Sequence, residues 1–481
     1  MKRRILSLLL LLTMLLTVVQ TNTALAEDNL QLGQETISEW TYEDLIIGDT
    51  YGIYPASWYN KGMQKPITHG QFRTLISGFR YKMINTDRII DEHDVTLKLS
   101  ANNKKMTVKE ALEILYSLVS SYEFDGDIGI KENGNAVDFM TSHGIYTGKG
   151  GEQALDEKCS VEQACVIATR LVTYIYDVLD AGSKGFLWEI NSAGNTVYLL
   201  GSIHVADYDI YPFSNKMLEA FASADALGVE VDILNPSLDT TEMLYNYGFY
   251  TDGSTLKDHV SEETYELVVE LGEMIGLSED LVSIYKPWLL YLTFDVMASI
   301  NPESDEALST AAALGIDTKF LVDAYMKDKP IIELEGADYQ YNVLNSFSEE
   351  LQELLLQTSM YALLEVSEEG TGDNSNFLSK ALDYWKMGDV ESFLKITSSS
   401  TDLDDQLELT DEDKKIQELF DEYYDKMITQ RDKGMANKID QMLKEEGNNT
   451  YFVVVGSAHY ISDYSVLDML EEMGYEINQI K

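Results

Sequence analysis

Two hydrophobic periods run along this chain, and the point where one gives way to the other divides it. From residue 46 to 180 apolar positions recur at helical spacing, as in Ala111, Leu112, Ile114, Leu115 and Leu118. Three segments there share one pattern: Ile67-Thr68-His69-Gly70-Gln71, Met106-Thr107-Val108-Lys109-Glu110 and Cys159-Ser160-Val161-Glu162-Gln163. In each, an apolar residue precedes a hydroxyl, and Glu or Gln follows three positions later. This is a capping box, in which the hydroxyl takes the third helical amide and that residue's side chain answers the cap's own amide. It predicts helices opening after Thr68, Thr107 and Ser160, 39 and 53 residues apart, in a degenerate triplicate.

Past a flexible connector at residues 180–185 the pattern changes. Trp188-Glu189-Ile190 and Thr196-Val197-Tyr198-Leu199-Leu200 flank a Gly-bearing turn and predict a β-hairpin. Further short apolar runs at 227–232, 330–335 and 451–455 alternate with amphipathic helices. The expected fold is a C-terminal α/β domain over 185–481, a mixed sheet with flanking helices, behind a mainly α-helical repeat domain over 46–180.

Charge and the N-terminus narrow the setting. Lys2, Arg3 and Arg4 precede an apolar run from Ile5 to Val19, and Ala24-Leu25-Ala26 fits a signal-peptidase site. Residues 1–26 are therefore expected to be a cleaved signal peptide and 27–45 a linker, with an uncleaved anchor as the alternative. No later stretch reaches the ~20 apolar residues of a spanning helix. The 481 residues carry 82 acidic against 35 basic side chains, a formal charge of −47. Such a surface repels nucleic acid and anionic lipid, and nucleic acid is excluded as a partner. The expected location is secreted or cell-surface, on a Gram-positive bacterium. The two cysteines, Cys159 and Cys165, lie about 9 Å apart along a helix, too far to bridge, and are read as buried packing.

The candidate chemistry lies in the second region. A short apolar strand runs into Gly201-Ser202-Ile203-His204, and another into Gly456-Ser457-Ala458-His459. Glu230 and Asp232 alternate with Val229 and Val231, so both carboxylates are expected on one strand face, and Glu335 closes another apolar run. Two imidazoles and two or three carboxylates at one sheet edge suit a transition metal with mixed N/O ligands. Blander readings compete: Glu230 as a salt-bridge partner of Arg431, Glu335 as the N-cap of the helix after Gly336, and the histidines as a purely structural pair. There is no Gly-x-Ser-x-Gly elbow and no His-Glu-x-x-His helix, which argues against serine hydrolases and ordinary zincins.

Two resemblances follow from these residues. The triplicate, with Tyr51-Gly52-Ile53-Tyr54 before Thr68 and His143-Gly144-Ile145-Tyr146 before Ser160, resembles S-layer homology modules. That implies a cell-wall polysaccharide as partner for residues 46–180, although the basic residue usual after the cap is His69, Val108 and Val161 here. The second region resembles the TraB/GumN family, related to Tiki-type metalloproteases. The resemblance runs in order through both Gly-Ser-x-His motifs, Tyr211-Pro212, Val229-Glu230-Val231-Asp232, Gly315-Ile316-Asp317, Glu335 with Gln340, and Arg431-Asp432. Asp432 stands where many relatives have Asn. The resemblance implies His204, His459 and Glu230 as ligands of a divalent ion (Zn, Mn or Co), Glu335 as general base and Arg431 as an oxyanion or substrate contact. The function so implied is that of an exported, envelope-associated metallopeptidase acting on a peptide or protein. The alternative is a non-catalytic envelope protein that binds a peptide or wall polysaccharide.

Overall fold

The computed structural model of the protein describes residues 37–131, 134–148, 153–299, 310–369, 373–398 and 410–481. The expected signal peptide lies outside the described residues. The chain forms two units: one comprises the described residues up to Ser183 together with Tyr208–Asn215, the other Lys184–Asp207 and Lys216–Lys481.

The first unit is mostly helical. Its three capped helices are α1 (His69–Ile84), α2 (Val108–Val119) and α3 (Val161–Leu179), and a small antiparallel pair, β1 (Ile89–Glu92) with β2 (Tyr122–Phe124), accompanies them. All three capping boxes form, each hydroxyl accepting its third helical amide: Gln71 to Thr68 at 3.1 Å, Glu110 to Thr107 at 3.2 Å and Gln163 to Ser160 at 3.1 Å.

The remaining helix-start amides are satisfied across repeats. The first two amides of α1 donate to the Lys104 and Asn102 carbonyls, those of α2 to Glu157 and Leu155, and those of α3 to Lys65 and Met63, all at 2.9–3.0 Å. In each case the acceptors lie three and five residues before another repeat's cap. The residues preceding the caps close a ring: Ile67 donates to Cys159, Cys159 to Met106 and Met106 to Ile67 (2.9, 3.1 and 3.1 Å). Three sequence-distant repeats thus supply one another with the partners that a helix N-terminus otherwise lacks, in a pseudo-threefold arrangement. Cys159 and Cys165 are both free and buried, and burial pushes the Cys159 thiol up to about 12.

Tyr208–Asn215 belongs to this unit because buried Lys82 donates to the carbonyls of Tyr208 and Tyr211, the latter at 2.8 Å. Asn85 also donates to the Asp209 carboxylate at 2.7 Å, and the Ser183 hydroxyl to the Ile210 carbonyl at 2.6 Å.

The second unit is built on a six-stranded mixed sheet: β3 (Phe186–Ser192), β4 (Asn195–Ser202), β5 (Ala226–Val229), β6 (Ile331–Glu333), β7 (Thr450–Gly456) and β8 (Ile477–Ile480), in the order β6-β5-β7-β4-β3-β8. The expected hairpin is β3–β4. Its two-residue turn has Ala193 and Gly194 at φ of 54° and 94°, the geometry that matches strand twist. β4, β7, β5 and β6 run parallel. Val197, Leu199 and Leu200 of β4 and Phe452 to Val455 of β7 are buried, as a parallel sheet covered by helices requires.

One strand expectation is corrected. β5 stops at Val229, because its neighbour β6 ends at Glu333 and the chain then turns. The Glu335 and Gly336 amides both donate to the Glu230 carbonyl at 3.0 Å, and Gly336, at a φ of 95°, makes that turn. Asp232 therefore leaves the strand face it was expected to share with Glu230. Its carboxylate accepts the Tyr325 hydroxyl at 2.6 Å instead.

Two tests of the first unit follow. Ser160→Ala removes one cap of the ring and is expected to cost about 1 kcal/mol in thermal or urea unfolding. Burial raises the Asp49 carboxyl to about 6. The folded state therefore prefers it protonated, and stability falls as pH rises from about 4 through 6. Asp49→Asn is expected to raise stability at pH 7 by on the order of 1–3 kcal/mol and to leave it unchanged near pH 4.

Candidate functional site

Four neighbouring parallel strands each deliver one side chain beyond their C-terminal ends. His204 follows β4, His459 follows β7 on a short helix α7 (Ala458–Ile461), Glu230 follows β5 and Glu335 follows β6. This is the edge where open α/β sheets gather their sites. The two Gly-Ser-x-His motifs are joined directly: Ser202 pairs with Gly456 in the ladder, and the Ser457 amide and hydroxyl both donate to the Ser202 carbonyl at 2.9 Å.

The motif glycines serve two different contacts. A Cβ on Gly201 would stand 2.9 Å from the Ser457 hydroxyl, so Gly201 lets the second motif close on the first. A Cβ on Gly456 would stand 3.4 Å from Glu230 Oε1 and 3.5 Å from His204 Nε2, so Gly456 floors the space among the candidate ligands. A third glycine, Gly315, lets its loop approach the His204 carbonyl to within 2.2 Å of a would-be Cβ. It thereby brings Asp317, at the start of α4 (Ile316–Met326), to the His204 ring.

Each candidate ligand has one polar atom held by a buried partner. His204 Nδ1 lies 3.1 Å from Asp317 Oδ1, and His459 Nδ1 lies 2.5 Å from Asp432 Oδ1. Glu230 Oε2 accepts from Arg431 Nη2 at 2.5 Å and from Gln340 Nε2 at 3.0 Å. Gln340 comes from α5 (Ala337–Asn345), and Arg431 and Asp432 come from the first turn of α6 (Gln430–Lys444). Glu230 Oε1 accepts the Gly456 amide at 2.7 Å and stands 3.9 Å from His459 Nε2.

A carboxylate only accepts hydrogen bonds, so Asp432 fixes the proton of a neutral His459 on Nδ1. Nε2 then presents a lone pair. It is buried without a hydrogen-bond partner among the described residues, and it faces another electron-rich atom, Glu230 Oε1. Two such atoms facing each other in a dry site call for a cation or a proton.

Charge points the same way. Glu230, Glu335, Asp317 and Asp432 are answered in this contact network by Arg431 alone, an excess of three negative charges with both imidazoles neutral. Burial by itself would lower the His204 pKa, but the Asp317 and Glu230 carboxylates outweigh it and raise the value. Burial would raise the Glu230 pKa, but Arg431, the two imidazoles and the Gly456 amide bring it down to about 2. The donor set, the orphaned Nε2 and the charge imbalance all fit a divalent cation of mixed N/O preference.

His204, Glu230 and His459 do not, as they stand, bring three donor atoms within 4.8 Å of one another. Among the described residues the set that does is the exposed Asp91, His93 and Glu123.

The roles expected of Glu335 and Arg431 need revision. Glu335 holds Arg431 Nε and Nη2 at 2.8–3.2 Å, and Arg431 passes the contact on to Glu230. Both side chains are 3% exposed. A carboxylate forked on a guanidinium is ill placed to accept a water proton, and a guanidinium between two carboxylates is ill placed to meet an oxyanion. The helix after Gly336 has no side-chain cap, so Glu335 does not serve as one. The salt bridge between Glu230 and Arg431, an alternative to ligation in the sequence, is real and leaves Oε1 directed at the site.

Asp317, Asp432 and Gln340 were visible in the sequence only as positions of a family pattern. Nothing local sets two aspartates apart among 82 acidic residues.

Comparison with known proteins agrees with the site. The chain is 27% identical over 198 residues to the uncharacterized protein YbaP of Escherichia coli, which covers 41% of this chain and 67% of YbaP. It is 22% identical over 324 residues to a metalloprotease TIKI homolog of Nematostella vectensis, covering 62% of this chain and 67% of that protein. With metalloprotease TIKI1 of Danio rerio it shares 23% over 321 residues, covering 61% and 63%. The chain thus spans about two thirds of the length of these relatives. No solved structure matches it. Residues 186–479, well over half of the chain, match the TraB/PrgY/gumN family, and the chain belongs to that family.

Proposed function

We propose that the second unit is a metal-dependent hydrolase acting on peptide bonds, with His204, His459 and Glu230 as the ligands of a divalent ion. One observation carries this reading. At the ends of adjacent parallel strands, two imidazoles and a carboxylate each have one polar atom fixed by a buried partner and another directed over Gly456. The similarity to TIKI metalloproteases supports it. An ion held there supplies Lewis-acid polarisation of a scissile carbonyl and acidifies an attacking water. Asp317 and Asp432 orient the imidazoles, Arg431 and Gln340 hold Glu230 Oε2, and the Glu335–Arg431 pair supports that carboxylate from behind. Zn, Mn or Co are the ions to try.

On this reading the protein is exported to the cell envelope, its N-terminal 26 residues being a signal peptide, and its repeats are S-layer-homology-like. No helix among the described residues is long and apolar enough to cross a membrane. Wall-polymer binding through residues 46–180 has less to stand on, since His69, Val108 and Val161 after the caps are all buried.

A second reading is favoured by the wider spacing of the three donors. Here the Asp317–His204 pair acts without an ion as a general base, its raised pKa suiting proton transfer near neutrality.

Full-length protein stripped with chelator and titrated with Zn²⁺, Mn²⁺ or Co²⁺ is expected to regain peptide cleavage. His204→Ala and His459→Ala are each expected to lower metal affinity by ~100-fold or more. Undiminished uptake by both variants sinks the ligand assignment, and chelator-resistant cleavage favours the second reading.

Gly456→Ala separates the two further. Its methyl meets the donors at ordinary contact distances, 3.4–3.7 Å, and removes none of them. The variant should fold normally in chelator yet bind metal at least ~10-fold more weakly.

A further inference from the structure

We infer that Asp317 and Asp432 are positioning residues that keep the protons of His204 and His459 on Nδ1, so that both Nε2 lone pairs face the space above Gly456, and that Asp432 exerts the stronger hold. The inference rests on the metal reading above and adds to it the residues that make the imidazoles competent as ligands.

Three observations carry it. Each ring presents the same nitrogen to a carboxylate: Nδ1 of His204 to Asp317 and Nδ1 of His459 to Asp432. A carboxylate cannot donate, so it selects one tautomer of a neutral imidazole and leaves the far nitrogen unprotonated. A Cβ on Gly456 would lie 3.5 Å from His204 Nε2 and 3.7 Å from His459 Cδ2, the carbon bonded to Nε2, so the free edges of both rings border the same space.

The two pairs are not equivalent. The His459–Asp432 contact is 2.5 Å long and both side chains are fully buried. The His204–Asp317 contact is 3.1 Å, and the Asp317 side chain is 11% exposed. Water can replace part of what Asp317 does for its ring, whereas nothing comparable reaches Asp432.

The isosteric amide makes the role testable without emptying the site. Asp432 Oδ2 is buried and has no hydrogen-bond partner among the described residues. In Asp432→Asn an amide nitrogen placed there would be left without an acceptor. Turning the amide so that it donates to Nδ1 relieves this and moves the imidazole proton to Nε2, the atom meant for the ion. The shape and packing of the side chain are kept.

The experiment uses the full chain, with histidine ring nitrogens followed by NMR in chelator at alkaline pH, and Zn²⁺ or Co²⁺ affinity measured by calorimetry. The parent is expected to show both rings as Nδ1–H tautomers. Asp432→Asn is expected to shift the His459 ring towards Nε2–H and to weaken metal binding about 10- to 100-fold, Asp317→Asn doing the same to His204 with a smaller loss. Thermal unfolding in chelator confirms that the variants fold. If both amide variants keep the parent's tautomers, or bind metal within about twofold of it, the positioning role is wrong. Equal losses for the two variants overturn the stronger hold assigned to Asp432. A parent that shows the expected tautomers and responses to substitution, yet takes up no ion, upholds the positioning and overturns the metal reading alone.

Discussion

The pairing of β4 with β7 is the constraint on which the rest of the site depends. These strands stand some 250 residues apart in the chain and run parallel, so their C-terminal ends meet at one edge. Parallel pairing makes the two Gly-Ser-x-His motifs neighbours, and the Ser457 hydroxyl and amide lock them through the Ser202 carbonyl. β5 on the far side of β7 then sets Glu230 beside His459, and β6 sets Glu335 one strand further out. Had β7 paired antiparallel, its histidine would lie at the other end of the sheet.

Around that edge the protein has gathered charge that water would otherwise solvate. Burying a carboxylate is costly unless it is paired, and each one here has a specific partner. Arg431 is the hub, shared between Glu230 and Glu335, and its neighbour Asp432 reaches the opposite side of the site to hold His459. Two consecutive residues on the first turn of one helix thus fix two of the three candidate ligands. The network still carries more negative than positive charge, which is the electrostatic setting a divalent cation requires.

The helical unit shows a different economy. Capping boxes are local devices, each written in five residues, but a box satisfies only part of a helix start. The other two amides of each helix find carbonyls from another repeat, at the same offsets in all three, and the residues before the caps close the ring. No repeat completes its own N-terminus, so the three depend on one another although 39 and 53 residues separate their caps. The same unit takes in Tyr208–Asn215, a segment that sequence order would assign to the α/β region, because the buried Lys82 ammonium needs the carbonyls it offers.

Features encoded within a few residues were legible in the sequence. The three caps, the β3–β4 hairpin, the strand preceding each histidine and the unbridged cysteines all follow from local chemistry: hydroxyl-to-amide geometry, turn conformation, apolar runs and the rise of a helix. The duplicated motif also singled out His204 and His459 correctly as neighbours, since two like strand ends in an α/β fold tend to share an edge. What lay beyond reach was everything decided by where a strand stops and what packs on it. Asp232 left the site because β6 is too short to carry β5 further, and Glu335 and Arg431 turned from expected reactants into a buried ion pair. Asp317 and Asp432, ordinary acids among 82 in the sequence, became the partners of the two imidazoles. Local rules determine which residues can do chemistry. Only tertiary packing, by removing water and choosing each polar atom's partner, decides which of them are left with an atom free to do it.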